Sequence, residues 1–80
     1  MAKEIKIEGD YKIVSLFESI KKGEIYLIPF DKKRYNGIRA ESCRRNRDAR
    51  LTGELKSKMD VKFRVSATEY PGYTSLFRLK

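Results

Sequence analysis

The last third of the chain carries a clear alternation of apolar and polar residues. In VKFRVSAT, residues 61–68, every second side chain is apolar, which places one apolar row on a single face of a β-strand. TSLFRLK, residues 74–80, follows after a Pro71-Gly72 turn signal. The two segments therefore predict a C-terminal β-hairpin.

The register of this hairpin follows from which side chains must share a face. A two-residue Pro-Gly loop would mix polar and apolar side chains on both faces, and a shift of one residue inverts every side chain. The shifted register places Val65 opposite Phe77 and Phe63 opposite Leu79, so we predict a loop of three or five residues. It also stacks basic residues on the other face, in the pairs Arg64 with Arg78 and Lys62 with Lys80. Two interpretations of this ladder stay open, namely a contact for phosphates or a sheet edge protected from aggregation.

A first helix is predicted ahead of these strands. Apolar residues recur there at i, i+3, i+4 and i+7, which is the pattern of one helical face. They are Ile13, Leu16, Phe17 and Ile20. We predict a helix over residues 12–22, ended by two lysines and then Gly23. Its start stays open, because either Asp10 or Ser15 is a suitable capping residue.

A second helix is predicted over residues 36–50, starting at the capping residue Asn36. Its apolar residues are few and fall on two weak stripes, each interrupted by an arginine. Such a helix buries little apolar area and should dock by one narrow side. We expect Arg44 and Arg50 to point outward, and the stems of Arg45 and Arg47 to flank the contact.

These elements together predict an α+β fold in one small domain spanning residues 1–80. A three-stranded, mainly antiparallel sheet is expected from residues 24–30, 61–68 and 74–80, with the first helix on its apolar face. EIKI, residues 4–7, alternates and offers a fourth strand. The predicted core consists of Ile13, Leu16, Phe17, Ile20, Ile25, Leu27, Phe63, Val65, Phe77 and Leu79.

Charge and composition narrow the possible functions. The formal net charge is +8. Residues 31–64 hold twelve Lys or Arg and five acids, a net +7, so the excess charge lies in one segment. That segregation is typical of a protein that binds a polyanion. With no histidine and one cysteine, we expect no enzymatic activity and no metal or other cofactor. No apolar run suits a membrane span or a signal peptide, so we predict a cytoplasmic location.

The leading hypothesis is a non-catalytic protein that binds double-stranded DNA through the basic helix and nearby sheet arginines. Its candidate contacts are Lys32, Lys33, Arg34, Arg39, Arg44, Arg45, Arg47, Arg50, Arg64 and Arg78. RNA is a variant, with Tyr35, Tyr70 and Tyr73 as stacking candidates. The alternative hypothesis is an adaptor or inhibitor that binds an acidic protein surface, since Arg and Tyr are favoured at binding hot spots. A homodimer formed by paired sheet edges is a further possibility, and the oligomeric state is not predicted.

The order of several short motifs resembles that of small proteins encoded by phages and conjugative elements. The motifs are LFESIKKGE (16–24), a strand ending in IP (28–29), a basic helix opening with IR (38–39), KFRV (62–65) and a closing LFRL (76–79). The resemblance implies a compact α+β domain, a mobile-element context and nucleic-acid binding, and it transfers no catalytic residue. This chain departs from the pattern by a longer segment, residues 51–60, between helix and hairpin.

Overall fold

The computed structural model describes residues 3–55 and 60–80. In chain order, its elements are β1 (Lys3–Lys6), α1 (Ile13–Ser19), β2 (Glu24–Pro29), α2 (Lys32–Leu51), β3 (Phe63–Ser66) and β4 (Tyr73–Arg78). The strands form one four-stranded sheet in the order β1-β2-β4-β3. The predicted α+β class, with two helices, a fourth N-terminal strand and a C-terminal β-hairpin, is confirmed.

The sheet is mixed and not mainly antiparallel as predicted. β1 and β2 run parallel, whereas β4 is antiparallel to both β2 and β3. A parallel pair needs a crossover connection, and α1 provides it between β1 and β2. The short alternating segment at the N-terminus therefore sets the mixed character of the sheet.

Helix α1 is shorter than the predicted 12–22. Its N-cap is Lys12, whose side chain makes no capping hydrogen bond, so neither Asp10 nor Ser15 has the predicted role. The chain becomes extended at Ile20 and turns into β2 through Gly23, at a φ of 86° that favours glycine. Burial of Leu16, Phe17 and Ile20 therefore has to hold this uncapped helix in place.

Helix α2 begins four residues before the predicted start at Asn36. Asp31 is the N-cap, and its carboxylate accepts hydrogen bonds from the backbone N–H groups of Lys33 (3.0 Å) and Arg34 (3.1 Å). Phe30 and Tyr35 pack together on either side of the cap, with ring centroids 5.9 Å apart. This pair is a hydrophobic staple, the contact that joins the residue before a cap to the fourth helical residue. The basic DKKR segment is thus the capped first turn of α2.

The core lies between the sheet and the two helices. Its buried members are Leu16, Phe17, Ile20, Tyr26, Ile28, Ile38, Phe63 and Leu76. Phe17 and Phe63 meet edge-on at its centre, with ring centroids 4.9 Å apart. Ile13 and Val65, which were predicted in the core, are only partly buried and pack against it. Leu79 is exposed and Phe77 only half-buried, so the prediction placed the wrong β4 residues in the core.

The hairpin register explains that error. Val65 pairs with Leu76 and Phe63 pairs with Arg78, so the predicted opposition of Arg64 to Arg78 is wrong. The residues between the paired strands, 67–72, are even in number, and the predicted odd-length loop is wrong too. Arg78 therefore faces the core together with its paired residue Phe63, and its guanidinium lies 5.9 Å from the centre of the Phe63 ring. Its Nη1 also donates to the Ile20 carbonyl at 2.8 Å.

The second face of the sheet is covered by the loop between β3 and β4. Ile25 and Leu27 point to this face, since Tyr26 and Ile28 point to the core, and both are buried. From the loop, the Tyr70 hydroxyl donates to the Glu4 carboxylate on β1 (3.3 Å). Glu69, from the same loop, forms an ion pair with a β3 residue, Arg64 (2.8 Å). Because β1 and β3 are the two outer strands, these side chains span the full width of the sheet.

Candidate functional site

The inward face of α2 is docked by polar contacts to an outer strand. The Asn46 amide oxygen accepts hydrogen bonds from the backbone N–H groups of Lys62 (2.8 Å) and Phe63 (2.9 Å). Its amide nitrogen donates to the Phe63 carbonyl (3.0 Å), which also accepts from Ser42 Oγ (3.4 Å). Asn46 and Ser42 are both buried. They satisfy backbone groups of β3 that would otherwise lie unpaired at the edge of the sheet.

Two further contacts complete this docking side. Ile38 is fully buried and Ala49 nearly so. At Gly37 a Cβ atom would lie 2.7 Å from Cδ1 of Ile13, so the glycine allows α1 and α2 to approach closely. Sequence reasoning missed the roles of Asn46 and Gly37. The signal for Asn46 was its spacing, four residues from Ser42 and eight from Ile38, which puts it on the docking stripe at 100° per residue.

The opposite side of the helix, the outward face of α2, is exposed throughout. It comprises Lys32, Lys33, Asn36, Arg39, Ala40, Cys43, Arg44, Arg47, Arg50 and Leu51. The set lies within about 80° of Arg47 at 100° per residue. Six of these ten residues are cations and none is an acid. A helix of 20 residues is about 30 Å long, so the cations form a continuous basic surface of that length.

Most of these cations have no partner among the residues that the structure describes. Among residues 3–55 and 60–80, the side chains of Lys32, Lys33, Arg39, Arg47 and Arg50 make no ion pair or hydrogen bond. The prediction that Arg50 points outward is confirmed. The centre of the face is a shallow groove of about 470 Å³, in which Ala40 and Cys43 lie between arginines. Small side chains there let a ligand approach the helix closely.

Arg44 is the one outward cation with an acidic partner among the residues described. Its Nη2 lies 2.8 and 2.7 Å from the two carboxylate oxygens of Glu41. The same carboxylate accepts from Arg45 Nε at 2.7 Å. The hydrogen bond from Arg44 is the main reason that the pKa of Glu41 is lowered. Because one acid serves two arginines, the group of Glu41, Arg44 and Arg45 keeps a net positive charge, and Arg44 stays 58% exposed.

The two arginines expected to flank the contact behave differently. Arg45 does so, with its guanidinium 5.4 Å from the centre of the Phe17 ring and its side chain 26% exposed. Arg47 is exposed at the middle of the outward face, so the prediction for it is wrong. Helix α2 is turned so that its basic stripe is centred on this arginine.

The remaining predicted contacts do not join the outward face. Arg64 lies on the second face of the sheet, paired with Glu69, and Arg78 is turned toward the core. The other predicted pair of basic residues, Lys62 with Lys80, is not formed either. Lys62 forms an ion pair with Glu54 (3.0 Å), and Lys80 forms one with Asp60 (2.8 Å). Of the ten predicted site residues, six form the outward face, and the other four lie elsewhere, namely Arg34, Arg45, Arg64 and Arg78.

A second feature lies at the N-terminal end of α2. We call it the aromatic cleft, a depression of about 260 Å³ lined chiefly by Asp10, Tyr11, Phe30 and Arg34. The Arg34 guanidinium stacks 4.8 Å from the centre of the Tyr11 ring, and its Nη1 donates to the Tyr11 carbonyl at 3.1 Å. Burial raises the pKa of the Tyr11 phenol above its ordinary value. Phe30 is 50% exposed.

The tyrosines proposed for stacking are all engaged within the described structure. Tyr35 packs on Phe30, Tyr70 bonds to Glu4, and the Lys6 ammonium lies 5.9 Å from the centre of the Tyr73 ring. The exposed Phe30 was not among the predicted contacts. Phe30 lies directly before the Asp31 cap, and this position could have indicated its role. The sequence prediction instead made Phe30 the last residue of the strand 24–30.

Comparisons with protein-family models, with curated proteins and with solved structures gave no match to this chain. The resemblance to proteins of phages and conjugative elements therefore stays a prediction, as does the mobile-element context. Within the described ranges, no helix is both long and apolar enough to cross a bilayer. The same ranges contain no group of three or more acidic or cysteine side chains placed to hold a metal ion.

Proposed function

We propose that this chain is a non-catalytic protein that binds double-stranded DNA through the outward face of α2. The observation that carries the proposal is the absence of acids among six cations on one exposed helical face. Five of the six have no partner within the ranges that the structure describes. Unpaired cations in a row repel one another, and a polyanion relieves that repulsion while it releases its own counterions.

The shape of the face supports a duplex as the partner. A helix with its side chains is about 10–12 Å across, and the major groove of B-DNA is about 12 Å wide. Ala40 and Cys43 form the floor of the groove on α2, so the helix axis can come close to the bases. Long arginines on either side then reach the two phosphate backbones. Directional hydrogen bonds from Asn46 and Ser42 to β3 hold the face in a fixed orientation.

The salt dependence of binding tests the proposal directly. With about six phosphate contacts, we expect log Kd against log salt to have a slope of magnitude about 5, and affinity to fall about a thousandfold between 50 and 200 mM salt. The measurement is fluorescence anisotropy with a labelled blunt duplex of 16 base pairs. A flat salt response, or binding to an acidic protein that persists in high salt without any DNA affinity, would contradict the proposal.

Two charge-matched double variants locate the contact. Arg47→Gln with Arg50→Gln removes two outward cations, and Lys22→Gln with Arg64→Gln removes two exposed cations outside α2. Each double variant carries a formal net charge of +6, two less than the parent value of +8. We expect the first to lower the salt slope by about 2 and to weaken binding. The second should bind almost as the parent does, and equal losses in both would exclude the outward face as the contact.

A further inference from the structure

The aromatic cleft continues the outward face of α2 at its N-terminal end. Lys32 and Lys33, in the first turn, belong to the outward face, and Phe30 stands just before that turn. The Asp31 carboxylate is occupied as the helix cap, so it opposes a nearby phosphate less than a free acid would. A nucleic-acid backbone that follows the outward face to its N-terminal end therefore comes near Phe30, two residues before Lys32.

The hydrophobic staple explains only part of the role of Phe30. Packing against Tyr35 orients the ring and stabilises the first turn of α2. Half of the side chain is still exposed, although an aliphatic residue could make the same staple without presenting an aromatic surface. Exposed aromatic rings beside a basic surface are typical of proteins that stack on unpaired bases.

The other wall of the cleft favours a base over a phosphate. Arg34 stacks on Tyr11 and offers a flat guanidinium, a group that also stacks on bases. The exposed Asp10 carboxylate lines the same space. It repels phosphate, but it can accept a hydrogen bond from an amino or imino group on the edge of a base. The capping residue Asp31 lines the cleft as well, so the cleft offers flat surfaces and carboxylate acceptors to a planar, uncharged group.

We propose that the aromatic cleft receives an unpaired base of a DNA strand whose double-stranded part lies along the outward face of α2. The preferred substrate class is then duplex DNA with a single-stranded extension. This inference rests on the proposed function, because the duplex has to be held by α2. It assigns the Phe30 ring as the group that distinguishes an extended duplex from a blunt one.

The test compares two DNA molecules on three forms of the protein. One DNA is the blunt duplex of 16 base pairs, and the other adds a five-nucleotide single-stranded extension that contains 2-aminopurine, a base whose fluorescence falls when it stacks. We expect the parent protein to bind the extended duplex about ten- to a hundredfold more tightly. Phe30→Leu keeps an apolar contact with Tyr35 but lacks an aromatic ring. It should lose the preference for the extension and keep the affinity for the blunt duplex.

Phe30→Trp is the matched control, because it restores an aromatic ring and should keep both the preference and the quenching of 2-aminopurine. The extension also adds phosphates, so the comparison between the leucine and tryptophan variants separates stacking from charge. Melting curves confirm that all three proteins are equally folded. Equal binding of both duplexes by the parent protein, or a preference that survives Phe30→Leu, would overturn this inference and leave the proposed function intact. Failure to bind either duplex would overturn both.

Discussion

The two helices are held to the same sheet by opposite means. Helix α1 has seven residues, no side-chain cap and an apolar face that is buried against the sheet. Helix α2 has twenty residues, a full N-cap and few large apolar side chains, and its buried polar residues bond to β3. Apolar burial is non-directional, whereas hydrogen bonds have strict geometry.

The difference matters for what each helix can present to solvent. Helix α1 exposes four of its seven residues, and only one of these, Glu18, is charged. A helix fixed by one narrow polar stripe keeps most of its circumference free, and on α2 that free surface carries the excess positive charge of the chain. Directional docking is therefore what allows a long basic helix to be part of so small a fold.

The largest effect should come from removing the apolar anchor of α1. Phe17 is buried and packs against Phe63, so Phe17→Ala should lower the free energy of unfolding by about 3–5 kcal/mol. Urea denaturation followed by circular dichroism measures this. Val14→Ala, at a 46% exposed position on the same helix, is the control and should change stability by less than about 0.5 kcal/mol. Equal effects of the two variants would refute apolar anchoring of α1.

The next largest loss of stability should come from removing Asn46, whose hydrogen bonds dock α2 on β3. Asn46→Ala removes the partner of the backbone N–H groups of Lys62 and Phe63 and one of the two donors to the Phe63 carbonyl. We expect a loss of about 2–4 kcal/mol in the same assay. Ser42→Ala removes a single long contact of 3.4 Å and should cost clearly less. If Asn46→Ala were as mild as Ser42→Ala, the idea that α2 is docked by polar contacts would be wrong.

Substituting the N-cap residue of each helix tests the same comparison, with a smaller expected change in stability. Asp31→Ala removes two hydrogen bonds from the first turn of α2 and should destabilise the protein by about 1 kcal/mol. Lys12 occupies the corresponding extended position ahead of α1 without a capping bond. Lys12→Asp should therefore stabilise the protein by up to about 1 kcal/mol. Thermal melts at neutral pH measure both, and a loss of stability in the Lys12 variant would contradict the capping argument.

The smallest effect on stability should come from Glu41, which lies beside the outward face of α2. Because Arg44 and Arg45 hold the pKa of Glu41 below its usual 4.5, the ionised carboxylate stabilises the fold above about that pH. This contribution is lost as the pH falls through the lowered folded-state pKa. Glu41→Gln should thus lower the urea midpoint slightly at pH 7 and leave it unchanged at pH 2. Asp48→Asn makes the same charge change on the same helix and is the control variant, compared with Glu41→Gln at pH 7.

The sequence predicted the positions of wholly apolar side chains well, but not the position of a side chain that combines an apolar stem with a charged end. Leu16, Phe17 and Ile20 are wholly apolar, and their period predicted α1 and its buried face correctly. Arg78 has an apolar stem and a charged end, so pattern reasoning placed it in solvent and shifted the hairpin register by one residue. In the structure Arg78 is half-buried, with its guanidinium beside the Phe63 ring, as long cationic side chains often allow.

The candidate site shows the same limit. The basic segment and the outward position of Arg44 and Arg50 followed from sequence alone. The centring of the stripe on Arg47 did not, because it depends on which polar residues meet β3. Asn46 is hydrophilic by any scale, and only the unpaired backbone groups at the edge of β3 make its burial favourable. Information of that kind comes from the partner strand and not from the helix.

The hydrogen bonds of Asn46 also constrain how the length of this helix can vary. They fix the rotational setting of α2, and each residue inserted into a helix turns everything beyond it by 100°. One residue added between Asn46 and Arg47 would move Arg47 to the position of Asp48, outside the outward face, and would turn the docking residue Ala49 toward solvent. We therefore expect functional variants of this protein to gain or lose residues after Arg50, and to keep the spacing from Arg39 to Arg50 unchanged.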